Sequence, residues 1–276
     1  MTSGVKQPVI TSFTLSTATN PKQISLLTHE SCLLQKQRDM MQEWFAYEAI
    51  WHDKAMSFKR FRHWYERSSN LSLVAKVRDK AKLREAGNFV KQQLIKSKVN
   101  DFRLIMANSA EYPHELTDAE NPVHIFYAQG DINLLHNPFR IALIGSRKAS
   151  RDGLARSRRI ARLLSEAGVT VVSGLAEGID TMAHTAAIDS GGRTLAVLGT
   201  SITDCFPKTN RALQAQIAAN HCLISQVPIW RYHAQDYRSN ARFFPERNAT
   251  MSAISNATLI IEAQDRSGTL IQASAA

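Results

Sequence analysis

Apolar residues recur three and four positions apart between about Glu30 and Lys98, a stretch without proline and with one glycine, Gly87. Trp44, Tyr47 and Trp51 fall on one stripe, Phe58, Phe61 and Trp64 on a second, and Leu71, Val74 and Val77 on a third. This spacing predicts an antiparallel bundle of amphipathic helices. Residues 1–27 lack such a pattern, contain Pro8 and Pro21, and read as a mobile or irregular arm. After Asn100, short apolar runs interrupted by Pro113, Pro122 and Gly130 predict a connecting segment with one or two short strands.

From Arg140 the pattern alternates between apolar runs of strand length and helical spacing. Strands are predicted at Ile141–Ile144, Val169–Val172, Thr194–Leu198, Cys222–Ser225 and Thr258–Glu262. Helices fall between them near Ala155–Glu166, Asp180–Asp189, Asn210–Ala219 and Glu246–Ile254. Strands alternating with helices imply an α/β domain, a doubly wound, mainly parallel Rossmann-like sheet covered on both faces. The expected organisation is a basic helical N-terminal domain over residues 1–99 and the α/β domain over 100–276.

Charge sharpens this division. The net charge is +10, and residues 1–100 carry 17 Lys/Arg against 8 Asp/Glu, while the remainder is nearly balanced. Such an excess favours polyanionic partners, nucleic acid first. In "SFKRFRHWYERSS" the cations Lys59, Arg60 and Arg62 interleave with aromatics; on a helix this reads as an apolar core stripe with a charged flank, and a protein-docking face is the alternative. No window is apolar enough to span a membrane, and the first twenty residues lack the order of a signal peptide, so a cytosolic protein is expected. Cys32, Cys205 and Cys222 are too scattered for a zinc or redox pair and read as reduced packing residues. No cofactor is implied.

Candidate chemistry lies at the carboxyl ends of the strands, where doubly wound sheets bind ligands. The residues there are small or polar: Gly145, Ser146 and Arg147; Ser173 and Gly174; Gly199, Thr200 and Ser201; Ser225 and Gln226; Glu262, then Ser267, Gly268 and Thr269. Glycine admits a ligand to the backbone and helix starts offer amides to anions, so the five ends together suggest a phosphate cradle. Neither the dinucleotide fingerprint nor the Walker loop is present. Arg147 fits a guanidinium fork on phosphate, and the arginines behind it read equally as a solvated face or a DNA track. Asp180 reads as a helix N-cap and His184 as packed.

The motifs "IALIGSR", "VVSGLAEGIDTMAH", "TLAVLGT", "CFPKTN", "FFPERN" and "LIIEAQDRSGTLIQA", in this order, resemble the DNA processing protein A family, also called DprA or Smf. The resemblance covers roughly residues 100–276 and includes "YPHEL" at 112–116. It implies an extended Rossmann domain that binds single-stranded DNA, protects incoming strands and helps load a RecA-type recombinase, usually as a homodimer and without catalysis. Carried over by position, it implies that Gly145, Ser146 and Arg147 meet the DNA backbone while Ser173, Gly174 and Gly178 shape the pocket. Lys208, Arg247 and Asn248 would add charge and hydrogen bonds, and Ser267, Gly268 and Thr269 would close the far wall.

The sequence departs from the family pattern in three places. Ala249 stands where the family commonly has an arginine and Glu177 where a basic or apolar residue is frequent, both reducing positive potential; the first hundred residues do not match the usual N-terminal domain, and the last motif stops in an apolar helical start that suggests truncation. A nucleotide-binding sensor or phosphoribohydrolase-like enzyme on the same cradle is the alternative, with Glu262 and Asp265 as its carboxylates.

Overall fold

A computed structural model describes residues 35, 38–67, 72–77, 79–118 and 122–263. By contact density the chain divides into two compact units, Met1–Gln42 and Glu43–Ala276. In the first, the described residues are helical. All that follows concerns the second.

Helix α1 (43–51 within this unit) leads into α2 (Phe58–Glu66), α3 (Leu73–Lys76) and α4 (Lys80–Ser97). Local sequence sets these boundaries. The Ser57 hydroxyl accepts the Arg60 amide at the start of α2, the Asp79 carboxylate accepts the Ala81 amide at 2.8 Å at the start of α4, and Lys98 ends α4 in a left-handed conformation. Strands β1 (Arg103–Met106) and β2 (Ile125–Gly130) follow, then β3 (Arg140–Gly145), α5 (Arg151–Glu166), β4 (Thr170–Ser173), α6 (Ile179–Asp189), β5 (Thr194–Leu198), α7 (Arg211–Asn220) and β6 (Cys222–Ser225). Three helices, α8 (Ile229–Ala234), α9 (Tyr237–Asn240) and α10 (Phe243–Ala253), precede β7 (Ala257–Glu262).

The seven strands form one sheet in the order β1-β2-β6-β5-β4-β3-β7. The pairs among β6, β5, β4, β3 and β7 are parallel, while β1 and β2 add an antiparallel margin beside β6. The alternating pattern along each strand therefore buries two faces. On one, Ala142, Ile144, Val172, Leu195, Val197 and Ile224 pack with Met251 and Ile254 of α10. On the other, Tyr127, Ala196 and Leu223 meet Trp44, Val90, Leu94 and Ile217, and Leu143 and Val171 meet the small residues of α5 and α6. This is the doubly wound, mainly parallel fold expected from the sequence, with its helical N-terminal region present.

The helices pack against the α/β domain as well as against one another. Tyr47, Trp51, Phe58 and Phe61 are buried, and their neighbours include Ile125, Val227 and Phe243 of the α/β domain. The aromatic stripes are thus core, as the helical reading has it, and the surface they cover is the sheet margin and the α10 start. Lys59, Arg60 and Arg62 face outward beside them. Glu48 of α1 completes the junction. Its buried carboxylate accepts the amides of Ile229 at 3.0 Å and Trp230 at 2.8 Å and the hydroxyl of Tyr127.

Candidate nucleic-acid interface

The parallel strands end on a common edge, where the loops after β3, β4, β5 and β6 each lead into a helix. After β3, Gly145 pairs with Glu262 of β7, and Ser146 is buried with its groups internally engaged. Its amide donates to the Glu262 carbonyl at 2.8 Å, its carbonyl accepts from Ile179 at 3.2 Å, and its hydroxyl accepts the Lys148 amide at 3.1 Å. This turn leaves Arg147 and Lys148 as the exposed members of its front. The Glu262 carboxylate accepts the Ser150 hydroxyl at 2.5 Å and the Ser150 amide at 3.1 Å, closing the start of α5. A catalytic carboxylate has to stand free toward a substrate, whereas this one is bound into the helix cap. Asp265, Ser267, Gly268 and Thr269 lie outside the described residues, as does the suggested truncation.

After β4, "SGLAEGID" resolves into separate roles. The Ser173 hydroxyl donates to the Leu143 carbonyl at 2.6 Å and is wholly buried, tying β4 to β3. A methyl group at Gly174 would overlap the Arg247 guanidinium, so the missing side chain is what admits the arginine. Leu175 takes φ 58°, a left-handed conformation that is costly for a branched residue and that marks a loop held by its surroundings. Gly178, at φ 76°, lies so close to the carbonyls of Ser146 and Arg147 that no side chain fits. It joins the β3 and β4 loops.

Asp180 is not the N-cap that the sequence suggests. Gly178 occupies that place, and Asp180 turns back inside the first turn to accept the amides of Gly174 at 3.2 Å and Ala176 at 3.3 Å. A tight loop preceding the helix leaves these two amides pointing inward, and a carboxylate one turn on satisfies them. Burial raises the Asp180 pKa, opposed by the positive charges of Arg247 and Arg147. His184 is packed, as read from the sequence: its Nδ1 lies 2.7 Å from the Thr194 hydroxyl, and burial lowers its pKa to about 3.

Arg247 sits in the first half of α10 and is only 4% exposed. Its guanidinium donates to the carbonyls of Gly174 and, at 3.1 Å, Val197, and Nε donates to the Asn248 side chain at 2.9 Å. It therefore ties together the carboxyl ends of β4 and β5. Its charge reaches the edge, while Nη1 and Nε are bonded within the protein. The Ser225 hydroxyl is likewise committed, donating to the Thr200 carbonyl at 2.7 Å. The polar strand ends thus mostly fasten strands to one another.

Among the described residues, the edge presents a cation and an aromatic surface. The Phe244 ring lies against Gly199, with the Arg147 guanidinium 5.5 Å and that of Arg247 5.8 Å from its centroid. Phe206 is 5.9 Å from Phe244, and Tyr237 is 6.1 Å from Phe206. Lys208, exposed, opens the turn Lys208–Asn210 that leads into α7. That turn is fastened to the β4 loop. The Asn210 amide donates to the Leu175 carbonyl at 2.9 Å and the Thr181 hydroxyl at 2.8 Å, and Thr209 donates to exposed Glu177 at 3.4 Å. The structure thereby joins Gly145, Ser146, Arg147, Ser173, Gly174, Gly178, Arg247 and Asn248 through direct contacts, with Lys208 carried on the turn that Asn210 anchors.

Sequence reasoning missed Asn210, Phe206 and Phe244, although all three lie within the quoted motifs "CFPKTN" and "FFPERN". Their residue types gave the signal: an asparagine ending a turn that opens a helix, and phenylalanines beside prolines, where a core stripe has no reason to fall.

These features define a Rossmann-like α/β protein whose polar and cationic loops gather at the carboxyl ends of its parallel strands, where such sheets bind ligands. The chain belongs to the DNA recombination-mediator protein A family, whose profile matches residues 103–276. It is 32% identical over 222 residues to Protein Smf of Escherichia coli strain K12, an alignment covering 78% of this chain and 58% of that protein. It is 36% identical over 166 residues to the DNA processing protein DprA of Streptococcus pneumoniae, covering 58% of this chain and 54% of that one. The chain thus spans little more than half the length of these two relatives.

Its fold superimposes on the crystal structure of DprA from Streptococcus pneumoniae with a TM-score of 0.65 at 25% identity, over 84% of this chain and 82% of that one. A second solved structure, DNA processing protein A from Helicobacter pylori, described for its single-stranded DNA binding mode, matches with a TM-score of 0.55 at 25% identity, over 63% of this chain and 75% of that one. No helix among the described residues is long and apolar enough to cross a membrane, and no cluster of three or more His, Cys, Asp or Glu there could hold a metal ion.

Proposed function

We propose that this protein binds single-stranded DNA along the carboxyl edge of its sheet, in the cytosol and as a homodimer. It protects the strand and assists loading of a RecA-type recombinase; it is a binding protein rather than an enzyme. The observation that carries this reading is the pairing of exposed Arg147 with the Phe244 ring beside glycine turns too tight for side chains. A guanidinium serves a phosphate and a ring face serves an unpaired base, so the pair suits a flexible strand without reading its sequence. Lys208 adds a mobile positive charge, and the excess of cations over residues 1–100 draws polyanions to the molecule. The Helicobacter pylori relative, described as binding single-stranded DNA, lends the reading support.

Fluorescence anisotropy with matched single- and double-stranded oligonucleotides at two salt concentrations tests it. Single strands are expected to bind more tightly than duplexes, with affinity falling steeply as salt rises. Arg147→Ala and Lys208→Ala should each weaken binding and flatten the log–log salt dependence by about 0.7 per lost phosphate contact. Salt-insensitive binding, or none by folded protein, refutes the reading.

A further inference from the structure

The aromatic surface continues beyond Phe244 onto residues outside any glycine turn. Phe206 is 38% exposed and Tyr237 65% exposed, and the two lie on different segments, one before α7 and one on α9. Interplanar angles of 57° between Phe206 and Phe244 and 55° between Phe206 and Tyr237 keep the rings from covering one another face to face. Large apolar rings standing in a row at the surface have no packing function there.

Both carrying segments are fixed in place. The Tyr232 hydroxyl donates to the Asp204 carboxylate at 3.1 Å, and His233 Nε2 lies 2.9 Å from the Thr203 hydroxyl, so α8 is tied to the loop that bears Phe206. The Asn240 amide donates to the Tyr232 carbonyl at 2.9 Å, and the Asp236 carboxylate accepts the Ser239 amide at 2.8 Å, which holds α9 and Tyr237. Rings held this way lose little conformational freedom when a ligand covers them. Arg238 and Arg242 are exposed close to Tyr237 in the chain.

We propose that Phe206 and Tyr237 form a second stacking subsite, which takes the bases of the nucleotides leaving the Arg147–Phe244 position. The inference rests on the functional reading above. Unpaired bases are the occupant because a single strand offers ring faces next to phosphates, matching rings next to arginines, whereas a duplex hides those faces in its stack. Strand direction therefore runs from the glycine turns, across Phe244 and Phe206, toward α9.

The test is anisotropy with a graded series of oligothymidylates and the same series carrying abasic spacers. It uses the full chain, Tyr237→Ala, Phe206→Ala, Tyr237→Phe and Arg147→Ala. Tyr237→Ala and Phe206→Ala should each lower affinity for the longer oligonucleotides by roughly 5- to 100-fold and leave the shortest unaffected. Their salt dependence should match the unaltered protein, because no charge is removed, and Tyr237→Phe should bind normally. Abasic spacers at the outer positions should lower wild-type affinity to the level of Tyr237→Ala. Loss of binding in Arg147→Ala with full binding in Tyr237→Ala and Phe206→Ala overturns the subsite alone, as does equal loss on abasic and normal strands. No affinity of the unaltered chain for any single strand overturns the subsite and the functional reading together.

Discussion

Arg147 and Arg247 carry the same charge at the same edge and should respond to substitution in opposite ways. Arg147 is exposed and its guanidinium lies over the Phe244 ring, so Arg147→Ala should change unfolding free energy by no more than about 0.5 kcal/mol while reducing DNA affinity. Arg247 is buried, so Arg247→Ala strips two strand-end carbonyls of their donor and removes the stronger of the two positive charges that oppose the burial of Asp180. Its expected cost is about 3–5 kcal/mol, read as a shift in the urea midpoint. Glu48 gives the residue scale a pH dependence. Burial raises its pKa from 4.5 to about 7, so the folded state holds this proton more tightly than the unfolded chain does. Its contribution is complete below about pH 4.5 and is lost as pH rises toward 7, by about 3 kcal/mol. His184, lowered by burial, runs the other way, with stability lost as pH falls below its ordinary 6.5. The difference between the native protein and Glu48→Gln, measured by urea unfolding at about pH 4 and about pH 8, therefore isolates Glu48. A pH-independent difference would show that the carboxyl is not strained by burial.

Among the elements, the loop after β4 and the turn before α7 act as one piece. Asn210 bonds the backbone of Leu175 while that residue holds a left-handed conformation, so its side chain stabilises a shape the loop sequence does not favour. Asn210→Ala should cost about 1–3 kcal/mol and weaken DNA binding by displacing Lys208, measured by denaturation and anisotropy on the same sample. Glu177, exposed beside Thr209, places a negative charge on this piece; Glu177→Arg should tighten DNA binding if the loop faces the strand. The strands and most helices of the α/β region were legible because each apolar run has the length and period of its element. Helices α8 and α9 were not. "VPIWRYHAQDYRSN" is too short and too mixed for a 3.6-residue stripe; α8 is anchored from elsewhere in the chain by Glu48, Asp204 and Thr203, and α9 is held on α8 by Asn240 and capped by Asp236. Helix α10 begins at Phe243, earlier than the apolar spacing suggests, because a proline is tolerated in a first turn.

For the molecule as a whole, the aromatic helices are part of the α/β core. A chain beginning at Asn100 would uncover the surfaces that Trp44, Tyr47, Trp51, Phe58 and Phe61 now bury. Burying each such ring contributes roughly 1.5–3 kcal/mol, and five together rival the whole stability of an ordinary domain. That fragment is expected to be unfolded by circular dichroism; a cooperative native-like transition would show the sheet to be self-sufficient. The sequence by itself determined the α/β alternation, the parallel sheet, the burial of the aromatic stripes and the family, because period, run length and motif order are local properties written along the chain. Tertiary structure alone decided which polar residues at the strand ends remain available. Ser173, Ser146, Glu262 and Arg247 all look like ligand-facing groups in one dimension, yet each is committed to a partner brought from a distant part of the chain. The exposed edge is what those pairings leave over: Arg147, Lys208 and a row of rings from three separate segments. A buried polar group must find a partner, and the sequence does not show which groups the fold will bury.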